Sequence, residues 1–302
     1  MRKEARTKKE ISINEIQRYH ERSQCGNYAT QGFARDFVVW ASDRPAAADG
    51  TKKTYGLEIE LESQQIFEDT LALILKNAFE LFPEGLFKLQ HDGSLGGSTS
   101  AEAITQPMTK AFIRNHYNDF KAMFEFLRKH HTAPGDSCGM HTNIAMICFG
   151  KDRAAQKKAI LKLHNWLVDH YRFACALLHR DINYTEYCGN MQHGYLNDCG
   201  SHGYMMNYAH MDEGPAARVE IRLVGPQKTF PAFRNTLECI FHLVEAAREG
   251  RNFDDPVKLW KGCNECVMDR LLDMREAGFI SFEDFAKIAE ASVNEGIRAA
   301  TR

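Results

Sequence analysis

Alternating apolar and polar positions predict several short strands along the chain, and the first of them carries an acidic face. In YGLEIELES (55–63), leucine and isoleucine alternate with three glutamates, Glu58, Glu60 and Glu62. Successive residues of a strand point to opposite faces, so these carboxylates share one face at a spacing of about 6.5–7 Å. Like charges this close repel each other unless a cation or water lies in front of them. The strand therefore predicts a sheet face that is either solvated or compensated by positive charge.

Four further segments are apolar on one side and carry charged or metal-capable side chains on the other. They are LFKLQHDGSL (86–95), STSAEAITQPM (98–108), CGMHTNIAMICF (138–149) and RVEIRLVG (218–225). Their polar positions include Asp92 and Ser94, Glu102, His141 and Asn143, and Glu220 and Arg222. If these segments pair with the first strand, one face of the sheet collects Glu58, Glu60, Glu102 and Glu220 together with His141 and Arg222.

Apolar residues at the helical period predict the remaining elements. The predicted helices cover 65–82, 109–130, 153–180, 231–247 and 256–276, and the capping box SFED at Ser281 begins a last helix. A strand is predicted at 36–42, and a loop rich in Gly, Asn, His and Cys at 185–203. The helices do not separate the strands at a regular interval. This order favours an α+β fold in which a largely antiparallel sheet is covered by helices on one face.

The bulk composition excludes several classes of protein. The 302 residues have a net charge of −2 and a pI near 6.7, so no global electrostatic preference for nucleic acid or acidic lipid is expected. Glutamates interleave with the basic residues of 1–22, which disfavours a nucleic-acid-binding arm. No apolar run approaches the ~18–20 residues of a membrane span, and none follows the basic N-terminus as a secretory signal requires. Nine scattered cysteines, an odd number, indicate reduced thiols in a cytoplasmic protein.

The predicted acidic face has the chemistry of a divalent-cation site. Its hard oxygen ligands, which suit Mg²⁺ or Mn²⁺, are Glu58, Glu60, Glu102 and Glu220. Divalent cations bind phosphates in turn, and an arginine such as Arg222 suits the negative charge that develops in phosphoryl transfer. The chain has neither a Walker loop nor a G-x-G-x-x-G segment after a strand. Any use of ATP would therefore depend on carboxylates and a metal rather than on a glycine-rich loop.

The order of these short motifs resembles the amidoligase family, which belongs to the carboxylate–amine ligase superfamily with glutamine synthetase and glutamate–cysteine ligase. The motifs are GLEIE, HDGSL with AEAITQPM, GMHTN, GYMMNY and RVEIRLVG, between about Tyr55 and Ala247. The resemblance implies a curved, glutamine-synthetase-like sheet whose concave acidic face holds ATP and Mg²⁺. It also implies an ATP-dependent ligase that joins a carboxylate to an amine through an acyl phosphate, on small-molecule or peptide substrates.

The resemblance further assigns roles to individual residues. The implied metal ligands are Glu58, Glu60, Glu102 and Glu220. The implied catalytic set is Glu60, Glu220 and Arg222, with the arginine steadying the transferred phosphoryl group. The implied nucleotide- or substrate-binding residues are Asp92, Ser94, His141, Asn143, Tyr204 and Asn207. The family often has H-x-H where this chain has His141-Thr142-Asn143, so Asn143 departs from the pattern.

The resemblance also suggests a division of the chain into three parts. An N-terminal arm and leading strand would cover 1–50, an amidoligase-like catalytic domain 51–250, and a C-terminal helical extension 251–302. Two other interpretations of the acidic face stay open at this point. One is a metal-dependent hydrolase that uses the same acids to activate water. The other is a non-catalytic binding or assembly protein that keeps a relict site.

The cysteines offer two further interpretations. Residues 263–266 form a single C-x-x-C, which would need additional thiols, such as Cys188 and Cys199, to hold zinc. Cys138 and His141 are a conceivable nucleophile and base. Three residues apart on a strand, however, their side chains point to opposite faces, which disfavours that pairing.

Overall fold

The computed structural model describes residues 52–63, 68–83, 86–90, 100–183, 203–213 and 216–300. The strand predicted at 36–42, the Asp92-Gly93 turn and most of the loop predicted at 185–203 lie outside these residues. The described strands are β1 (Thr54–Ser63), β2 (Phe87–Gln90), β3 (Ser100–Thr105), β4 (Met108–Thr109), β5 (Thr132–Ala133), β6 (Met140–Ala145), β7 (Met206–Asn207) and β8 (Arg218–Ile221). The described helices are α1 (Glu68–Phe79), α2 (Lys110–Asn115), α3 (Tyr117–Lys129), α4 (Arg153–Asp169), α5 (Tyr171–Leu177), α6 (Phe230–Arg248), α7 (Pro256–Trp260), α8 (Glu265–Glu276) and α9 (Phe282–Ala300).

The eight described strands form one antiparallel sheet. Six of them lie in the order β2-β3-β1-β6-β8-β7, while the two-residue strands β4 and β5 pair with the two ends of β1. The ladder continues past the end of β8, because the Arg222 N–H donates to the Met205 carbonyl at 2.8 Å and the Met140 N–H to the Val224 carbonyl at 3.3 Å. The prediction of a largely antiparallel sheet among helices is thus confirmed.

The hydrophobic core lies on one face of this sheet. Leu57, Ile59 and Leu61 are at most 1% exposed, because the glutamates between them turn to the other face. Helix α6 packs on the apolar face, where the ring of Phe241 lies 4.5 Å from the ring of Tyr55. Each fully buried aliphatic side chain contributes roughly 1.5–3 kcal/mol to folding. A one-residue slip of β1 would turn its apolar side chains out of the core, so burial fixes the register.

The C-terminal helices pack onto the same core. Trp260 of α7 stacks on His242 of α6 with ring centroids 5.4 Å apart, and Leu271 of α8 is fully buried. Ser281 caps α9 as predicted, since its hydroxyl oxygen accepts a hydrogen bond from the Asp284 N–H at 3.0 Å.

Three predicted helices are interrupted in the structure. The range 109–130 contains α2 and α3, which meet at His116, and the range 153–180 contains α4 and α5, which meet at His170. At both histidines the ring Nδ1 lies within hydrogen-bonding distance of the carbonyl four residues earlier, at 2.8 and 3.2 Å. The range 256–276 is divided between α7 and α8 by Gly262, whose φ of 69° lies in the left-handed region that ends helices. Apolar spacing persists across such breaks and so does not reveal them.

Buried Glu238 of α6 ties three other helices together. Its two oxygens accept hydrogen bonds from Arg114 at 2.7 Å each, from the Tyr117 hydroxyl at 2.7 Å and from the Asn264 amide at 2.7 Å. Burial alone would raise the pKa of Glu238. The Arg114 and Tyr117 donors outweigh burial and hold this pKa below its usual 4.5. The carboxylate is therefore charged at neutral pH and joins α2, α3 and α8 to α6.

We expect Glu238→Gln to lower the free energy of unfolding by about 1–3 kcal/mol at neutral pH, because the amide places an N–H against donors that the carboxylate satisfied. A depressed folded-state pKa means that the stabilisation is complete above about pH 4.5 and is lost as pH falls through the folded-state pKa. The difference between E238Q and wild type should therefore shrink below that pH. Urea unfolding at neutral pH and at about pH 3.5 measures this.

The matched control is Glu125→Gln in α3, which removes an exposed carboxylate 4.0 Å from Lys121. We expect this variant to stay within about 0.5 kcal/mol of wild type at both pH values. An E238Q variant as stable as E125Q at neutral pH would show that Glu238 does not hold the helices together.

Candidate metal centre on the acidic face

The strand register brings the predicted acidic residues onto one face of the sheet. The directly opposed pairs are Glu60 with Glu102, Glu58 with His141, Asn143 with Glu220, and Asn207 with Glu220. Opposed residues of an antiparallel pair point to the same face, so five strands contribute to one polar surface. The pairing of 138–149 with the first strand, on which the predicted acidic face depends, is observed, and 218–225 pairs with 138–149 in turn. We call the surface formed by Glu58, Glu60, Glu102, His141, Glu220 and Arg222 the acidic face.

His141 stands at the centre of the acidic face. Its Nδ1 lies 3.3 Å from Glu58 Oε2 and 3.2 Å from Glu220 Oε1, and its Nε2 lies 3.4 Å from Glu60 Oε1. The residue is only 7% exposed. A single imidazole is thus enclosed by three carboxylates, which places a nitrogen ligand among oxygen ligands.

Three of these side chains are arranged to share a metal ion. Glu58, Glu102 and His141 each offer one ligand atom, and these atoms lie within 4.8 Å of one another. Carboxylate oxygens suit Mg²⁺ and Mn²⁺. This trio contains two of the four glutamates that were predicted as metal ligands.

The charge balance of the acidic face also fits a dication. Glu60, Glu102 and Glu220 are at most 8% exposed, so water screens their repulsion poorly. Two described arginines lie close to these carboxylates. Arg222 binds Glu220, and the side chains of Arg180 and Glu60 both lie beside Gly139. Four carboxylates that are packed on one poorly solvated face repel one another, and a bound divalent cation would reduce that repulsion.

Glu58 is ionised in this setting. Burial alone would raise the pKa of its carboxyl group. The hydrogen bonds and charges of His141, with Asn143 and Arg222, outweigh burial and lower this pKa to about 2. A carboxylate that stays charged at neutral pH is a competent ligand for a cation without prior loss of a proton.

Glu60 and Glu220 are held by donors from the protein. Glu220 accepts from the Arg222 Nη1 at 2.6 Å and from the Asn207 amide at 2.9 Å. Glu60 accepts from the backbone N–H of Gly139. These contacts fix both carboxylates beside the trio. That Glu60 and Glu220 are themselves metal ligands stays a prediction.

The structure places the other predicted site residues in different ways. Asn207 contacts the acidic face through Glu220, and Asn143 contacts it through Glu58 at 2.7 Å. Tyr204 is half-buried and packs against the hydrophobic core. Asp92 and Ser94 lie outside the described residues. For all five residues, a role in binding nucleotide or substrate stays a prediction.

Arg180 is a contributor that the sequence reasoning missed. It follows α5, is 7% exposed, and donates to the carbonyls of Cys138 at 3.1 Å and Val224 at 2.5 Å. It therefore joins the residue just before β6 to the chain beyond β8. The bond to Cys138 also helps to hold the backbone at Gly139 in position. A Cβ atom at Gly139 would lie 2.6 Å from the Arg180 Nη2, so only glycine fits there without displacement. In the sequence this arginine is one polar residue at the end of an apolar helix, which gives no sign of such contacts.

The cysteine-based interpretations gain no support. Cys138 is fully buried, and burial raises the pKa of its thiol, which disfavours the thiolate that a nucleophile requires. Cys263 and Cys266 are free thiols, and burial raises the pKa of both. Within the described residues, the trio at the acidic face is the group found in position to bind a metal. Cys188 and Cys199 lie outside those residues.

Comparison with known proteins adds no assignment. No family model and no curated protein matches the chain. Over the described residues, none of the helices has the length and apolar character needed to cross a bilayer. The features that indicate a function are therefore the acidic face and the order of the short motifs.

We expect Glu102→Gln to weaken Mn²⁺ binding by at least tenfold, because changes in the groups that merely support a metal ligand already cost roughly 10–100-fold. The matched control is Glu62→Gln. This variant also removes one negative charge from the polar face of the sheet, here from β1. The Glu62 carboxylate, however, accepts a hydrogen bond from the Ser137 hydroxyl at 3.0 Å and is not part of the trio. Titration followed by the electron paramagnetic resonance signal of free Mn²⁺ measures both affinities. Equal losses in the two variants would mean that only net charge matters.

Proposed function

We propose that the chain is an ATP- and Mg²⁺-dependent ligase that forms an amide bond between a carboxylate and an amine. The observation that carries this proposal is the cluster of Glu58, Glu102 and His141 ligand atoms within 4.8 Å on a buried acidic face, with Arg222 beside it. The order of motifs shared with the amidoligase family supports the choice of a ligase over other metal-dependent reactions.

In the proposed reaction, an oxygen of the substrate carboxylate attacks the γ-phosphorus of ATP, and the bond to ADP breaks. The amine nitrogen then attacks the carbonyl carbon of the acyl phosphate. Inorganic phosphate leaves with the C–O bonding electrons, and the nitrogen loses a proton. Neither step requires a covalent bond to the protein, so catalysis would consist of positioning and electrostatic stabilisation.

Glu58, Glu102 and His141 would hold the metal in this scheme. When bound, the metal supplies positive charge to the phosphate oxygens of the nucleotide. Glu58 contributes a carboxylate that is already ionised at neutral pH, since its pKa is lowered to about 2. The buried positions of Glu102 and His141 exclude water that would otherwise weaken their interaction with a cation.

Arg222 is the residue that we assign to the transferred phosphoryl group. Its Nη1 donates to Glu220 at 2.6 Å, and Glu220 is itself held by Asn207 at 2.9 Å. These contacts orient the guanidinium group before substrate arrives, which lowers the reorganisation needed in the transition state. Glu60, next to His141, completes the proposed catalytic set.

The direct test is ADP formation by the purified protein with Mg-ATP and a panel of carboxylates, amino acids and amines. A ligase should release ADP over many turnovers only when a carboxylate and an amine are both present, because the first step alone stops at the acyl phosphate. Release of ADP with water as the sole acceptor would identify the metal-dependent hydrolase instead. Failure to bind Mg-ATP in calorimetry would indicate a binding or assembly protein with a relict site.

We expect Arg222→Lys to reduce turnover at least tenfold, since lysine cannot copy the planar two-pronged contact and loss of one transition-state donor costs roughly 10²–10³ in rate. Thermal stability does not separate the roles here, because Arg222 and Glu220 form a buried pair with side chains 10% and 7% exposed. ADP release at saturating substrates does separate them. The matched control is Arg234→Lys, a half-buried arginine 3.7 Å from Asp269. Turnover of R222K within about twofold of R234K would return Arg222 to a structural role.

A further inference from the structure

Asn143 lies between Glu58 and a second arginine, Arg218. The Asn143 amide nitrogen donates to Glu58 Oε1 at 2.7 Å, and the amide oxygen accepts from the Arg218 Nε at 3.0 Å. A guanidinium group has donors and no acceptor, so it fixes which end of the amide faces it. The NH₂ group is consequently turned towards the carboxylate of Glu58.

Arg218 is anchored on its other side. Its Nη1 donates to Glu213 Oε2 at 2.8 Å, and its backbone N–H donates to the His210 carbonyl at 3.1 Å. The guanidinium group is therefore held in place without contact to any of the three candidate ligands, Glu58, Glu102 and His141. Among the described residues, it is linked to the metal centre through the amide of Asn143.

The amide leaves one oxygen of Glu58 directed at the metal centre. Oε1 is occupied by Asn143, while Oε2 faces His141 Nδ1 at 3.3 Å. A carboxylate free to rotate would present either oxygen and would lose rotational freedom on binding a cation. A carboxylate held by a fixed donor has lost that freedom already, which favours binding.

We propose that Asn143 and Arg218 are positioning residues that orient Glu58 for a divalent cation. This inference rests on the cation site of the proposed function and goes beyond it, since it assigns Asn143 to the support of a metal ligand and adds Arg218 to the site. The residue that departs from the family pattern thus acquires a role of its own in this chain.

Replacing Arg218 should change the affinity for Mn²⁺, and the direction of that change distinguishes a positioning role from a purely electrostatic one. Removing a positive charge near a cation site should tighten cation binding if only Coulomb energy matters. Arg218→Met should instead weaken Mn²⁺ binding if the arginine acts by orienting Asn143. Asn143→Ala should weaken it by roughly 10–100-fold, as supporting groups of metal ligands usually do.

The experiment is a titration with Mn²⁺ alone, followed by the electron paramagnetic resonance signal of the free ion. It uses the full chain as wild type, N143A, R218M and the N143A/R218M double variant. We expect weaker binding in both single variants and no further weakening in the double variant, because Arg218 has no route to Glu58 once the amide is gone. The matched control is Arg153→Met, a neighbouring arginine whose Nη1 donates to the Met211 carbonyl at 3.0 Å. R153M should bind Mn²⁺ as tightly as wild type, or slightly more tightly.

Binding by R218M that equals or exceeds that of wild type would overturn the proposal, and so would N143A binding within about twofold of wild type. Arg218 is part-exposed, so R218M keeps the test available if N143A does not fold. The ligase proposal fails separately. Mn²⁺ binding that depends on Asn143, without ADP formation, refutes the ligase and supports the positioning role. Wild type that binds no Mn²⁺ refutes the positioning role, while the assay of ADP formation still decides the ligase.

Discussion

The packing of four carboxylates and one imidazole on a buried sheet face is the constraint on which the rest of the structure depends. Burial removes the water that would screen their repulsion, so each carboxylate needs compensation that the fold itself supplies. The described donors are the Gly139 backbone N–H and the side chains of Asn143, Asn207 and Arg222. They come from strands on one side of β1 and from the chain just before and after those strands. The antiparallel register that opposes Glu58 to His141 and Asn143 to Glu220 is what brings the donors and carboxylates together.

The apolar face of the same strands contributes stability that offsets the repulsion among the carboxylates. Along β1 the glutamates alternate with Leu57, Ile59 and Leu61, which are almost fully buried against the helices. Each apolar side chain that leaves water contributes roughly 1.5–3 kcal/mol, which offsets the cost of holding charges close together. Both faces specify the same register, because a slip by one residue would put glutamates into the core and leucines onto the acidic face. Stability and site geometry are therefore set by one pattern of alternation.

That alternation explains how much of the molecule could be predicted from sequence. The period of two in 55–63 and 218–225 was sufficient to place Glu58 and Glu220 on the polar faces of their own strands and the intervening residues in the core, and the pairing of both strands with β6 puts the two glutamates on a common face. Periodicity could not show the helix breaks at His116 and His170, where apolar spacing continues across the interruption. It also could not show contacts made between distant segments, such as Asn143 with Arg218. Partners of this kind depend on which strands become neighbours, and a local pattern does not contain that information.

Arg180 shows how far the support of the acidic face extends into the helical layer. Arg270 of α8 donates to the Leu177 carbonyl at 3.0 Å and also contacts the Ala176 carbonyl, which holds the end of α5. Arg180 lies just beyond that end and donates to the carbonyl of Cys138, the residue before Gly139, whose N–H donates to Glu60. The C-terminal helices are therefore connected through backbone carbonyls to a carboxylate that they do not touch. A change that loosens α8 would therefore reach Glu60 through Arg180 and the backbone of Gly139 and not through a direct contact.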